Sequence, residues 1–167
     1  SRGWTADGRI KPDLMAPGCN ASAGTDNDNT TRNCSQNSGC GTSYASPILV
    51  GAAALVRQYF TDGFYPSGAK NAADTVQPTA ALLKATLING AVPLTGKDNA
   101  GRDITPIPSN EQGWGRIQLD RSLLFQGAAR KLYVDDHKQG FAAGSMDALS
   151  YQVTGVDPAE PLKLTLT

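Results

Sequence analysis

The longest apolar run in the chain is Ile48-Leu49-Val50-Gly51-Ala52-Ala53-Ala54-Leu55-Val56. It is small and apolar on every side, which predicts a helix over about residues 43–60 buried inside an α/β domain rather than an amphipathic surface helix. The run is too short to span a bilayer. Thr42 or Ser43 can cap the orphan amides at its start, and Pro47 falls where an early helical turn tolerates a missing donor. A second helix follows Thr79, a candidate cap; Leu83 and Leu87 share a face, and Gly90 is placed to end the helix in the left-handed conformation. The stretch 61–76 between the helices is rich in Gly, Asn, Asp, Ser and Ala and reads as a surface excursion. A short strand is expected around Leu14, then a long loop. Gly113 and Gly115 predict a tight turn that buries Trp114, followed by a strand over 116–119 and a helical stub capped by Asp120.

From Lys131 the period changes to two. Residues 131–134, 150–154 and 162–167 alternate as short strands do, and Asp135, Gly140, Gly155 and Pro158 punctuate them. The pattern predicts two parts. Residues 1–128 form an α/β unit and residues 129–167 open an antiparallel β-sandwich. The 167 residues are 40% hydrophobic with a formal net charge of zero, enough for a modest core and without the charge signature of a nucleic-acid or membrane partner.

The candidate chemistry lies at the start of the first helix. Gly41-Thr42-Ser43-Tyr44-Ala45-Ser46-Pro47 sets the Ser43 hydroxyl on a glycine turn where backbone amides and the positive end of a helix dipole converge. An oxyanion forming on a carbonyl carbon bound to Ser43 would be stabilised there. The ordinary alternative is a serine that only caps its helix.

That heptapeptide resembles the nucleophile signature of the subtilisin-like serine proteases, with Tyr44 where the usual form has Met. Gly8-Arg9-Ile10-Lys11-Pro12-Asp13-Leu14-Met15-Ala16-Pro17-Gly18 is similar to the strand and turn that precede the signature. Leu82-Leu83-Lys84-Ala85-Thr86-Leu87-Ile88-Asn89-Gly90-Ala91 and Gln112-Gly113-Trp114-Gly115-Arg116-Ile117 resemble the family's last core helix and the turn after it. The likeness covers about residues 1–128 and is nearest to the large alkaline subtilases that carry a β-domain. It implies a subtilisin-like parallel sheet with helices on both faces. It also implies an endopeptidase that acts on polypeptides through an acyl-enzyme at Ser43, with the Ser43 amide and Thr42 beside the oxyanion. The family uses Asp, then His, then Ser. Here the single histidine, His137, follows Ser43 in a polar turn-like stretch, where a solvated loop histidine is the ordinary outcome. The resemblance therefore implies that Asp, His and the oxyanion Asn come from an N-terminal part of the same catalytic domain, a partner to this chain, without which it is inactive. A non-catalytic peptide-binding or structural module of the same fold is the alternative.

No signal peptide is visible at Ser1-Arg2-Gly3-Trp4, and the last residues stop on a strand pattern; both fit a chain cut from a longer secreted protein. The loop that feeds Ser43 contains all three cysteines. Closure of the short Cys34–Cys40 loop leaves Cys19 odd, and Cys19 with either partner is equally permitted. Asp26 and Asp28 in Thr25-Asp26-Asn27-Asp28-Asn29-Thr30 supply hard oxygens of the kind calcium takes, and the family commonly pins surface loops with calcium. A hydrated turn is the alternative. Asn20, Asn29 and Asn33 begin glycosylation acceptor patterns. No organic cofactor is implied.

Overall fold

Helix α1 (Thr42–Thr61) is the longest element of the computed structural model, which describes residues 2–23, 36–139, 142–144, 148–154 and 157–167. Ala52, Val56, Tyr59 and Phe60 recur at helical spacing and are its buried stripe. They pack with Leu82 and Leu87 of α2 (Ala80–Asn89) and with Leu14, Ala91 and Leu123 into one core. An aromatic group surrounds Tyr59: Phe64 stacks on it at 5.8 Å, and Phe60 and Phe125 meet it edge-on at 5.3 and 5.6 Å. The Tyr59 hydroxyl donates to the Leu124 carbonyl at 2.7 Å, and burial pushes its pKa up. Phe64 and Tyr65 also pack on the core, and a 3-10 turn forms at Ala72–Asp74. The 61–76 excursion is thus partly anchored.

Burial of α1 on every side does not occur. Val50 is 64% and Leu55 52% exposed, because the described residues cover only the Ala52–Phe60 stripe.

Thr79 caps α2 as expected, its hydroxyl accepting from the Leu82 amide at 3.1 Å. Asp136 in turn accepts from the Thr79 amide at 2.8 Å and from the Thr79 hydroxyl. At the other end the Lys163 ammonium donates to the carbonyls of Asn89 and Ala91, at 2.8 and 3.4 Å. An anion at the helix start and a cation at its end both complement the macrodipole. Gly90 does not turn left-handed: its φ is −86° and ψ −5°. Close approach is what it provides, since a Cβ there would overlap Ser122 of α3 (Leu119–Ser122). The N-cap of α3 is Gln118, and Asp120 lies within the helix rather than capping it.

No parallel sheet forms among the described residues. Their one sheet is an antiparallel hairpin of β1 (Cys19–Ala23) and β2 (Gln36–Cys40). The expected strands at Leu14 and 116–119 reduce to single bridges, Met15 to Arg116 in parallel and Val92 to Arg116 antiparallel. Pro12 and Pro17 bracket the first and remove ladder donors, and α3 begins before the second can extend. Trp114 is not buried by its turn; it is 40% exposed and lines a groove of about 670 Å³ with Ile88, Ile107 and Leu164.

The strands expected over 131–134, 150–154 and 162–167 form no ladder among the described residues. One of these segments packs on the core and another holds α2 instead. Val134 packs on the core and its amide donates to the Tyr65 hydroxyl at 3.2 Å. Asn89 donates to the Thr165 hydroxyl at 3.1 Å, and the Thr167 hydroxyl donates to the Ala81 carbonyl at 2.8 Å. Period two survives along the last segment with its sides reversed, for Leu162, Leu164 and Leu166 are 61%, 88% and 96% exposed.

The aromatic core should dominate stability. Phe60→Ala is expected to cost about 3–5 kcal/mol by cavity formation. Tyr59→Phe, which only strands the Leu124 carbonyl, should cost about 1 kcal/mol. Urea unfolding monitored by intrinsic fluorescence measures both.

Candidate active site

The approach to Ser43 is built from backbone. Cys19 and Cys40 are register partners at the foot of the hairpin, 4.1 Å apart at Cα, and a disulfide joins them. The Cys34–Cys40 closure is therefore not formed: antiparallel pairing brings Cys19, not its nearer neighbour in sequence, opposite Cys40. Cys34 lies outside the described residues, as do Asn29 and Asn33. One residue beyond the disulfide, the Gly41 amide donates to the Gly18 carbonyl at 2.7 Å.

Gly41 is the N-cap of α1, in extended conformation, and has no side chain with which to cap the helix. Neither Thr42 nor Ser43 has the capping role expected of it. The reason is register: the Gly41 carbonyl already receives the amides of Tyr44 and Ala45, at 3.1 and 3.3 Å, which places Thr42 first and Ser43 second in the helix. Ser43 is exposed, and neither its hydroxyl nor its amide has a hydrogen-bond partner among the described residues. Pro47 lies in the second turn, where its missing N–H is the one that would reach the Ser43 carbonyl. The Tyr44 ring lies directly against Gly39, where any side chain would collide with it. An accessible hydroxyl beside an unengaged amide at the positive end of a helix can act as a nucleophile with its own oxyanion donor.

His137 is exposed and is not hydrogen-bonded to Ser43. It follows Asp136, which is held at the start of α2. Asp13 does not serve Ser43 either, because its carboxylate is taken by the ammonium groups of Lys11 and of Lys84, the latter at 2.8 Å. Partial burial pushes the Asp13 pKa up, but the two lysine hydrogen bonds outweigh it and hold the group below its ordinary 3.8. Asp13 is a tie between α2 and the 11–17 segment. Its carbonyl accepts the Trp114 amide at 2.9 Å, while Met15 bonds Gly115 at 2.9 Å and receives Ile117 at 3.0 Å. Gly113, at φ +58°, lets this turn lie on the backbone of Pro12 and Asp13, where a Cβ has no room.

Gln112 is fully buried and was not among the residues singled out from sequence. Its side chain accepts from the Leu94 amide at 2.8 Å and donates to the carbonyls of Leu94 and Thr105, at 3.2 and 2.7 Å. It closes the 94–105 loop. Its one sequence signal is its place before the Gly-Trp-Gly turn. Asp26 and Asp28 lie outside the described residues; among the described ones no cluster of three or more His, Cys, Asp or Glu could hold a metal ion.

The hairpin, helix α1 and the turn stitched to residues 13–17 are parts of a subtilisin-like α/β protein. The chain belongs to the subtilase family, whose sequence model matches residues 1–115. It is 36% identical over 151 residues to the serine protease/ABC transporter B family protein tagD of Dictyostelium discoideum, a match covering 78% of this chain and 8% of that protein. The tagB and tagA proteins of the same organism, described in the same words, are 35% and 37% identical over 74% and 71% of this chain and 8% and 7% of their own lengths. The chain thus spans less than a tenth of the relatives it matches. Among the described residues no helix is long and apolar enough to cross a membrane.

The Asp13 tie should titrate. Because its folded pKa is depressed, its contribution is present above the ordinary 3.8 and is lost as pH falls through the lower folded value. Lys84→Met should move the Asp13 midpoint up toward 3.8, read from its carboxyl carbon resonance.

Proposed function

We propose that this chain is the nucleophile-bearing part of a serine endopeptidase that hydrolyses polypeptides. One observation carries the reading: in a subtilase motif, the Ser43 hydroxyl is exposed, uninvolved in capping and next to a free amide at a helix start. Ser43 Oγ attacks the scissile carbonyl carbon and its proton passes to an imidazole from another part of the catalytic domain. The Ser43 amide donates to the oxyanion, with Thr42 beside it. The C–N bond then breaks, the amine leaves with the proton, and water cleaves the acyl-enzyme. The bare side of α1, with Val50 and Leu55 exposed, supports an N-terminal part of the same domain that packs there and brings Asp, His and Asn. The relatives' description as serine proteases supports the same activity in the parent of this chain. A module in which Ser43 survives only as a helix cap has less support, since Gly41 is the cap.

We infer also a division at 128/129, with residues 129–167 the beginning of a β-sandwich domain. The Cys19–Cys40 disulfide supports an oxidising, extracellular setting. Calcium at Asp26 and Asp28 fits their hard oxygen chemistry. Chelation by EDTA should then lower the melting temperature of the intact parent, and Asp26→Asn with Asp28→Asn should remove that sensitivity.

In the intact parent, a fluorophosphonate should form an adduct at Ser43. Ser43→Ala should abolish the adduct and lower kcat by up to about a million-fold. A folded, complete parent that takes no label at Ser43 would refute the protease reading.

A further inference from the structure

We propose that the Cys19–Cys40 disulfide is a positioning element for Ser43, whose reduction slows acylation while the core stays folded. The inference rests on the protease reading above and adds a control that acts through the hairpin.

Three successive residues carry the constraint from sulfur to nucleophile. Cys40 is bonded to Cys19, its register partner. Gly41 extends the pairing by one hydrogen bond, its amide to the Gly18 carbonyl at 2.7 Å, and its own carbonyl anchors the amides of Tyr44 and Ala45. Thr42 and Ser43 are held between these anchors. The Tyr44 ring against Gly39 is a fourth contact on the same short path.

The core reaches α1 no nearer to Ser43 than Leu49, which is partly buried against it. Among the α1 residues buried in it, Ala52 is nearest to Ser43, and Val56, Tyr59 and Phe60 lie further on. Val56 stands roughly 20 Å along the helix from Ser43 at 1.5 Å per residue. The first turns of α1 carry no buried residue, and their N-cap, Gly41, has no side chain. What fixes them is a hairpin of two strands, and such a pair is marginal in water by itself. Its partners are 21 residues apart in sequence, so closing the loop costs chain entropy that the covalent bond removes.

Both cysteines are exposed, so a small dithiol can reach them. In reduction the S–S bond breaks, each sulfur gains one electron and one proton, and dithiothreitol gives up both pairs to become its cyclic disulfide. Displacement of a catalytic group by about 1 Å can cost a hundred-fold in rate.

The test uses the full-length parent in a Cys34→Ser background, which removes the third thiol. Peptide hydrolysis, fluorophosphonate labelling of Ser43 and near-ultraviolet circular dichroism are compared before reduction, after dithiothreitol and after reoxidation. The expected result is a fall of about 10–100-fold in kcat and labelling rate with KM within two-fold, dichroism retained and activity restored on reoxidation. Cys19→Ser with Cys40→Ser should behave as the reduced protein whatever the redox conditions. Equal labelling of oxidised and reduced protein overturns the proposal and leaves the protease reading standing. So does a change confined to KM, or a loss of activity that tracks a loss of dichroism. An oxidised protein that takes no label overturns both.

Discussion

The hydrogen bond from the Gly41 amide to the Gly18 carbonyl is the junction on which the arrangement depends. Upstream of Gly18, residues 13–17 are stitched to the 113–117 turn, and through Val92 and Arg116 to the end of α2. Downstream of Gly41 is α1. The contact is main chain to main chain, so no side-chain rotamer can relax it. Where these segments touch, at Gly113 against Pro12 and Asp13, the same holds. Position is set here by backbones in contact, which is a stiffer device than packed side chains.

The energy that keeps α1 folded is located elsewhere. Val56, Tyr59 and Phe60 are in its C-terminal half, against α2 and Leu123, and the aromatic rings extend that core through Phe64 and Phe125. Segments 131–139 and 162–167 add to it by holding α2 at both ends, with Asp136 at its positive end and Lys163 at its negative end. The buried core and the candidate serine are thus at opposite ends of one 20-residue helix. Neither needs the other's residues.

The sequence was most legible where a pattern is local. The extent of α1, the Thr79 cap and the glycine turn around Trp114 follow from helical period, capping chemistry and positive φ, all properties of a few consecutive residues. Family membership was legible too, because four short motifs in order are specific together. What misled was anything that depends on a partner distant in sequence. Gly90 looks like a left-handed stop until Ser122 is seen against it, and the mate of Cys40 stays open between Cys19 and Cys34 until β1 pairs with β2. The tail leucines read as an inward row because alternation reveals two faces and not which one is turned to the protein. At Ser43 the difference is two residues of register: a serine before an apolar helix is ordinarily its cap, and here Gly41, two residues earlier, has that role.

That two-residue shift bears on the candidate chemistry. Had Ser43 been the cap, its oxygen would have accepted an amide of the first turn and been a poorer nucleophile for it. With Gly41 as the cap, the amides of Tyr44 and Ala45 are satisfied by a carbonyl, and the Ser43 hydroxyl is left unengaged among the described residues. Pro47 frees the residue on its other side, since it has no amide to offer the Ser43 carbonyl. Ser43 therefore receives little restraint from the helical ladder on either side of its peptide unit. Its placement must come from the chain that enters the helix, through Gly41, Cys40 and the strand that Cys40 ends.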